Sequence, residues 1–160
     1  MISAATARSI TTRSPIWVEE VEFEDGAAGF ATEGTPVDCV RFADLGLLGA
    51  KPELIVSGIN HGANLGDDIT YSGTVSAAME AVINNCPAFA ISQEYEEHID
   101  FALAAKAAAV VARNVLEHGL RRGELLSVNV PAVPVKITIS LPPVAKTALV
   151  SEATSLNTSA

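Results

Sequence analysis

The sequence predicts an α/β fold, a Rossmann-like three-layer α/β/α arrangement around a parallel sheet, with a β-hairpin projecting from it. Three short apolar runs have the pattern of strands buried on both faces. They are ELIVS at 53–57, AFAIS at 88–92 and LLSVNVP at 125–131. Helical segments separate these runs, and alternating strands and helices form parallel sheets through right-handed crossovers.

The hairpin is expected within residues 15–33. Its first half, PIWVEEVEF, partly alternates between apolar and charged residues, EDG supplies a turn at Gly26, and AAGFATEG returns. Partial alternation around a short glycine-containing turn is typical of two antiparallel strands. We therefore expect this hairpin to project from one side of the sheet.

The helix after the hairpin has a well-marked start. Thr35 is the expected N-cap, Pro36 takes the first helical position, and Asp38 stands where a capping-box acid belongs. This helix is expected to stop near Gly46–Gly49, since glycine readily leaves the helical conformation.

Two further helices are expected between the apolar runs. Ser72 or Thr74 can cap the first of them, which runs to about Asn84 and is stopped by Asn-Asn-Cys-Pro. The second covers roughly residues 100–118 and ends at a glycine.

Composition limits the classes of protein that the chain can represent. Its 160 residues suit one domain, expected at 1–140, while 141–160 lacks a clear period and is expected to be a flexible tail. The net charge of −9 and the lack of a basic stripe argue against binding to a nucleic acid polymer. No apolar run reaches the roughly 18 residues of a membrane span. The lone Cys39 and Cys86 are expected to be buried thiols of a cytoplasmic protein.

The connection after 53–57 is unusually long and rich in glycine. It has roughly fifteen residues, whereas a strand-to-helix connection needs about 2–6. Ligands of open parallel sheets bind at the carboxyl ends of the strands, and this connection begins there. Its last residues, Ser72, Gly73 and Thr74, enter a helix whose free amides and dipole favour an anion. These three residues are the candidate phosphate-binding residues.

Other motifs in this connection are less specific. Its glycines are spaced by four, which fits neither the GxGxxG dinucleotide motif nor the P-loop. His61 and His98 lack ligand-like spacing and are expected to be ordinary surface residues. The pair Asp67–Asp68 could suggest a cation site, but a turn with a helix-proximal acid is the preferred interpretation. The residues alone indicate an anion-binding site on an α/β sheet.

Three segments carry a resemblance to a known family. They are KPELIVSGINHGANLGDDITYSGTVSAAMEAVI, the preceding GTPVDC at 34–39, and LLSVNVP. In this order they resemble the survival-protein SurE family of metal-dependent 5′/3′-nucleotidases, over roughly residues 4–135. The resemblance implies a Rossmann-like domain that hydrolyses nucleoside monophosphates or other phosphate esters with a divalent cation, Mg²⁺ or Mn²⁺.

The resemblance also assigns roles to residues. Asn60, in the SGIN segment, would be a metal ligand, and Tyr71–Thr74 would contact the phosphate. The family's aspartate pair belongs to an Asn-Asp-Asp-Gly motif that this sequence does not contain, and its serine ligand aligns with Ala4. The family's C-terminal oligomerisation region is replaced by a short tail, and the resemblance leaves a homo-oligomer open.

Three interpretations follow from these departures. The chain is an incomplete nucleotidase, a non-catalytic domain that binds nucleotides or a partner subunit, or a fragment that does not fold stably alone. On its own, the chain is not expected to hydrolyse nucleoside monophosphates at a rate typical of the family.

Overall fold

The computed structural model describes residues 9–47, 49–98, 100–132 and the backbone of 148–149. These residues form six strands and three α-helices, with a 3₁₀ turn before the second helix. The strands are β1 (Val18–Glu22), β2 (Ala28–Thr32), β3 (Ile55–His61), β4 (Ala88–Gln93), β5 (Leu126–Val130) and β6 (Ala148–Leu149). The helices are α1 (Pro36–Asp44), α2 (Gly73–Ile83) and α3 (Ala102–His118), and the 3₁₀ turn is Gly66–Thr70.

A parallel sheet is the centre of the fold. Its strand order is β3-β4-β5-β6, and each neighbouring pair is parallel. The three predicted strands are therefore confirmed as a parallel core. The short strand β6 lies within the segment predicted as a flexible tail, and the rest of 141–160 lies outside the described residues.

Strand β4 shows why the apolar runs predicted buried strands. All six of its residues are buried, and its side chains alternate between two cores. Phe89 and Ile91 pack into a cluster with α3 and β5, whereas Ala88 and Ala90 pack into a cluster with α2. Helices therefore cover both faces of the sheet, which confirms the three-layer arrangement.

The hairpin and the first helix follow the sequence signals closely. Strands β1 and β2 pair antiparallel in a separate two-stranded sheet, from Val18 opposite Thr32 to Glu22 opposite Ala28. Helix α1 begins with a complete capping box, in which the Thr35 side chain accepts from the Asp38 N–H. Helix α1 then packs against α2 on one face of the sheet.

The carboxylate of Asp38 also connects α1 to the segment before the hairpin. Its Oδ2 accepts from the Thr35 N–H (2.9 Å) and from the Thr11 hydroxyl (2.8 Å), and its Oδ1 accepts from the Thr11 N–H (3.1 Å). Burial raises the pKa of Asp38, but these hydrogen bonds outweigh it and hold the pKa below its ordinary value of 3.8. The ionised form therefore stabilises the fold.

This lowered pKa predicts a pH-dependent stability. The contribution of Asp38 is fully present above the unfolded-state pKa and is lost as the pH falls through the lower folded-state pKa. We expect Asp38→Asn to cost about 1–3 kcal/mol at neutral pH and to flatten the loss of stability as the pH falls through the unfolded-state pKa and below it. Urea unfolding at several pH values measures both effects. Glu22→Gln, an exposed change on β1, is the control, and an unchanged pH slope in Asp38→Asn would contradict the assignment.

Strand β3 differs from its prediction. It was expected at 53–57, but it begins at Ile55 and continues to His61. The pairing with β4 is interrupted between Ser57 and Asn60 and then resumes. Gly58 has a φ of +133°, and a Cβ there would overlap the carbonyl oxygen of Ile91. Glycine is thus present because β4 approaches closely, and it does not end the strand.

Two smaller expectations are tested in the same region of the fold. Cys39 is exposed on α1, so the expectation of a buried thiol is wrong for this residue, and Cys86 is half-buried. The buried apolar residues of α1 are instead Val37 and Val40. Among the described helices, none is long and apolar enough to cross a membrane.

Candidate functional site

Three polar side chains lie in one row at the carboxyl edge of the sheet. The register places Asn60 of β3 beside Ser92 of β4, and Ser92 beside Asn129 of β5. The glycine-rich connection, now residues 62–72, leaves β3 at this edge. Because the carboxyl edge is where parallel sheets bind ligands, this row marks the candidate site.

Asn64 fastens the connection onto this row. Its N–H donates to Oδ1 of Asn129 (2.8 Å), and Nδ2 of Asn129 donates back to its carbonyl oxygen (3.2 Å). Its own Nδ2 donates to the hydroxyl of Ser92 (2.6 Å). Asn64 and Asn129 are each 8% exposed, so these bonds are shielded from water. The start of the connection is therefore held rigidly above β4 and β5.

Asn60 is oriented by a bond within the connection. Its Nδ2 donates to the carbonyl oxygen of Gly62 (2.7 Å), and the N–H of Gly62 donates to the carbonyl oxygen of Gln93 (2.7 Å). No described residue donates to Oδ1 of Asn60. An amide oxygen is the atom that a hard cation takes, so the orientation is compatible with a ligand role, which stays a prediction.

The three predicted phosphate-binding residues form the start of α2. Ser72 is the N-cap, in place of the alternative Thr74, and its hydroxyl accepts from the Val75 N–H (3.2 Å). Within the described residues, the N–H groups of Gly73 and Thr74 have no backbone or side-chain acceptor. Free amides at a helix start attract anions. The role in phosphate binding stays a prediction.

The acidic pair Asp67–Asp68 lies on the exposed 3₁₀ turn. Neither aspartate side chain has a described hydrogen-bond partner, and the described residues contain no group of three His, Cys, Asp or Glu side chains that could hold a metal. A divalent cation requires several oxygen ligands. Asn60 alone therefore does not complete a cation site, and Ala4 lies outside the described residues.

His61 is not the ordinary surface residue that the sequence predicted. It is half-buried, and its ring stacks on Tyr95 with the centroids 4.6 Å apart. The edge of Phe101 approaches the same ring at 6.1 Å. His61 Nε2 lies 3.1 Å from the carbonyl oxygen and 3.3 Å from the amide nitrogen of Glu96, so either tautomer finds a partner. His98, by contrast, is exposed as expected.

Gln93, the last residue of β4, lies at the same edge of the sheet as His61. It is buried, and its Nε2 donates to the carbonyl oxygen of Asp100 (2.9 Å), which ties the β4–α3 connection to the sheet. Its Oε1 is buried without a partner among the described residues. Sequence reasoning missed Gln93, as it missed Asn64, Ser92 and Asn129. For Ser92, Gln93 and Asn129, the available signal was a polar residue at the end of a buried-type strand.

Comparisons with known proteins found sequences similar to most of this chain. A family model described as "Survival protein SurE" matches residues 2–151. The 5′-nucleotidase SurE of Pelobacter propionicus is 50% identical over 134 residues, which are 82% of this chain and 52% of that protein. The 5′-nucleotidase SurE of Synechococcus sp. (strain RCC307) is 47% identical over 133 residues, 82% of this chain and 48% of that protein.

A solved structure shows the same fold. The crystal structure of the SurE protein from Aquifex aeolicus matches with a TM-score of 0.68 at 37% sequence identity, covering 82% of this chain and 54% of that one. The chain therefore spans about half the length of the curated relatives that it matches.

Proposed function

Because the chain belongs to the SurE family of survival proteins, we propose that it forms the phosphate-binding part of a nucleotidase that hydrolyses nucleoside monophosphates. Relatives that are 43–50% identical to it over the aligned 82% of the chain carry the name 5′-nucleotidase. The observation that carries the proposal is the placement of Asn60 and the start of α2 at the two ends of one connection. That connection is fastened to the carboxyl edge of the sheet through Asn64.

The start of α2 would hold the phosphate. Gly73 and Thr74 offer two neighbouring N–H groups, and the helix dipole adds a partial positive charge. Ser72 keeps its hydroxyl proton available, because its oxygen acts as the acceptor in the cap. Amides fixed in this way stabilise negative charge on a phosphoryl group without reorganising.

A divalent cation, Mg²⁺ or Mn²⁺, would belong to the complete active site of this family. From this chain, Asn60 would offer one neutral oxygen through Oδ1, and the described residues add no carboxylate cluster beside it. Magnesium is usually bound through one or two carboxylates with several waters. The described residues therefore do not fit a cation by themselves, and we assign them only the binding of phosphate.

A second function is nucleotide binding without turnover. It is favoured because the residues proposed to bind phosphate are separate from the family's metal-binding carboxylates. The phosphate contacts proposed here are backbone amides and one hydroxyl, and they do not depend on the carboxylates of the family's Asn-Asp-Asp-Gly motif. Binding therefore survives in the absence of catalysis. The two functions differ only in turnover, so phosphate binding must hold for both.

We expect Gly73→Pro to weaken the binding of phosphate and of adenosine 5′-monophosphate by about tenfold or more. Proline removes the N–H of residue 73 but suits the first position of a helix. Ser72, the preceding residue, has φ −74° and ψ 122°, which is the backbone conformation that a following proline favours. A hydrogen bond to a charged group contributes about 1.5–3 kcal/mol, which sets this expectation.

Amide chemical shifts in an NMR titration measure the affinity and locate the ligand. Gly73→Ala is the matched control, because it adds a side chain at the same position and keeps the N–H. Weakening by Gly73→Pro alone supports the assigned donor. Equal affinity in the wild-type chain and Gly73→Pro, with α2 intact by circular dichroism, would remove the start of α2 from the phosphate site.

A further inference from the structure

Tyr95 presents an aromatic surface beside the candidate site. It follows β4 in the connection to α3, and its side chain is 73% exposed. One face of its ring stacks on His61, with an interplanar angle of 19°. The neighbouring residue Glu96 is held by His61 Nε2 through its backbone. Tyr95 is therefore fixed in place while much of its ring surface remains open to solvent.

The position of Tyr95 relates it to the phosphate-binding residues. The N–H of Glu94 donates to the carbonyl oxygen of Val130 at the end of β5 (2.8 Å), and Glu96 contacts His61 at the end of β3. The segment 94–96 thus crosses the carboxyl edge of the sheet from β5 towards β3. Tyr95, in the middle of this segment, lies at the same edge as Asn60 and the connection to α2.

The carboxyl edge of the sheet has two parts that favour different chemical groups. One part contains Tyr95 and His61, and the other contains Asn60 and the start of α2. His61 follows Asn60 directly in β3, and successive side chains of a strand point to opposite faces. A ligand that reaches both parts must pass over the end of β3. Near Tyr95, the glutamates at 94, 96 and 97 repel a phosphate, whereas the start of α2 attracts one. The aromatic part therefore suits an uncharged, planar group.

We infer that Tyr95 is a specificity-determining residue that stacks the nucleobase of a nucleoside monophosphate whose phosphate lies at the start of α2. This inference rests on the function proposed above. A nucleoside monophosphate has the required two ends, one planar and one anionic. Every nucleobase has a flat face that can stack on an aromatic side chain. Because the Tyr95 ring is already held by His61, it loses little conformational freedom when a base binds.

The test compares two ligands that share a phosphate and differ in the base. Adenosine 5′-monophosphate and ribose 5-phosphate are titrated into the 160-residue chain and followed by NMR. We expect the wild-type chain to bind the nucleotide about tenfold more tightly, and Tyr95→Ala to abolish that preference without changing the affinity for ribose 5-phosphate. Tyr95→Phe keeps the ring and should keep the preference. Trp17→Ala is the matched control, since Trp17 is 75% exposed on the side of the hairpin.

The outcomes separate this inference from the proposed function. A nucleotide preference that persists in Tyr95→Ala overturns the inference, even if phosphate binding is found as proposed. If neither phosphate compound binds, the proposed phosphate site is wrong, and adenosine then tests the ring alone. Adenosine-dependent shifts of the Tyr95 ring signals in the wild-type chain support stacking, and their absence overturns it.

Discussion

Joining a segment that carries Asn-Asp-Asp-Gly ahead of Met1, together with Ala4→Ser, is expected to raise metal-dependent hydrolysis of nucleoside monophosphates by at least about 100-fold. The comparison is with the unmodified 160-residue chain, which is not expected to hydrolyse nucleoside monophosphates at a rate typical of the family. A bound divalent cation typically stabilises a transition state by several kcal/mol, and each 1.36 kcal/mol is tenfold in rate. The added segment supplies the family's aspartate pair, whereas the described residues contain no group of three His, Cys, Asp or Glu side chains that could hold a metal.

Phosphate release with Mn²⁺ or Mg²⁺ is the measurement. A joined segment carrying Asn-Ala-Ala-Gly is the matched control, because it restores chain length without carboxylates. In the active version, Asn60→Ala should weaken the dependence on the cation, whereas Asp68→Ala on the exposed 3₁₀ turn should leave it unchanged. The opposite result for these two variants would show that the ligand was assigned wrongly. Robust metal-dependent turnover by the unmodified chain would contradict the prediction as a whole.

The parts of the fold that the sequence predicted are those set by local signals. The capping box of α1 needs only Thr35, Pro36 and Asp38, which are close in the chain. Strand β4 could be predicted because a strand buried on both faces is apolar throughout. Its apolar run is also too short for a typical helix. The parallel arrangement then followed from the alternation of helices and strands.

Strand β3 shows where local signals mislead. Gly58 reads as the end of a strand, because glycine weakens strands and favours turns. Its actual cause is long-range, since the carbonyl oxygen of Ile91 occupies the space that a Cβ would need. The close approach of β4 that requires glycine at this position cannot be recognised from the residues around Gly58. As a result, Asn60 and His61 were expected in a loop and lie in the strand.

The candidate site was predictable only in part, for a related reason. The start of α2 could be predicted from Ser72, because an N-cap is a local sequence signal. The row of Asn60, Ser92 and Asn129 depends on the register of three strands that are far apart in the chain. The stack of Tyr95 on His61 likewise requires the end of β3 to lie beside the end of β4. Such neighbours cannot be derived from periodicity or caps.

Replacing Asn129 with Leu is expected to lower the free energy of unfolding by about 2–5 kcal/mol. The Asn129 side chain bonds both the N–H and the carbonyl oxygen of Asn64. Leucine has a similar size but offers neither donor nor acceptor, so two buried backbone groups lose their partners. Leaving a buried polar group unpaired costs about 1–3 kcal/mol, and here two are affected. Urea unfolding followed by circular dichroism measures the change.

A graded series separates this reciprocal pairing from a general effect of altering the core. Asn129→Asp keeps an acceptor for the Asn64 N–H but places a carboxylate against its carbonyl oxygen, so its loss of stability should still be large. Ser92→Ala removes only the 2.6 Å bond from the Asn64 side chain and should cost about 1 kcal/mol. Hydrogen exchange at the Asn64 amide should accelerate strongly in Asn129→Leu and little in Ser92→Ala. If that amide stays protected in Asn129→Leu, the connection is held at the sheet edge by contacts other than this pair, and the rigidity that we assign to the candidate site has a different origin.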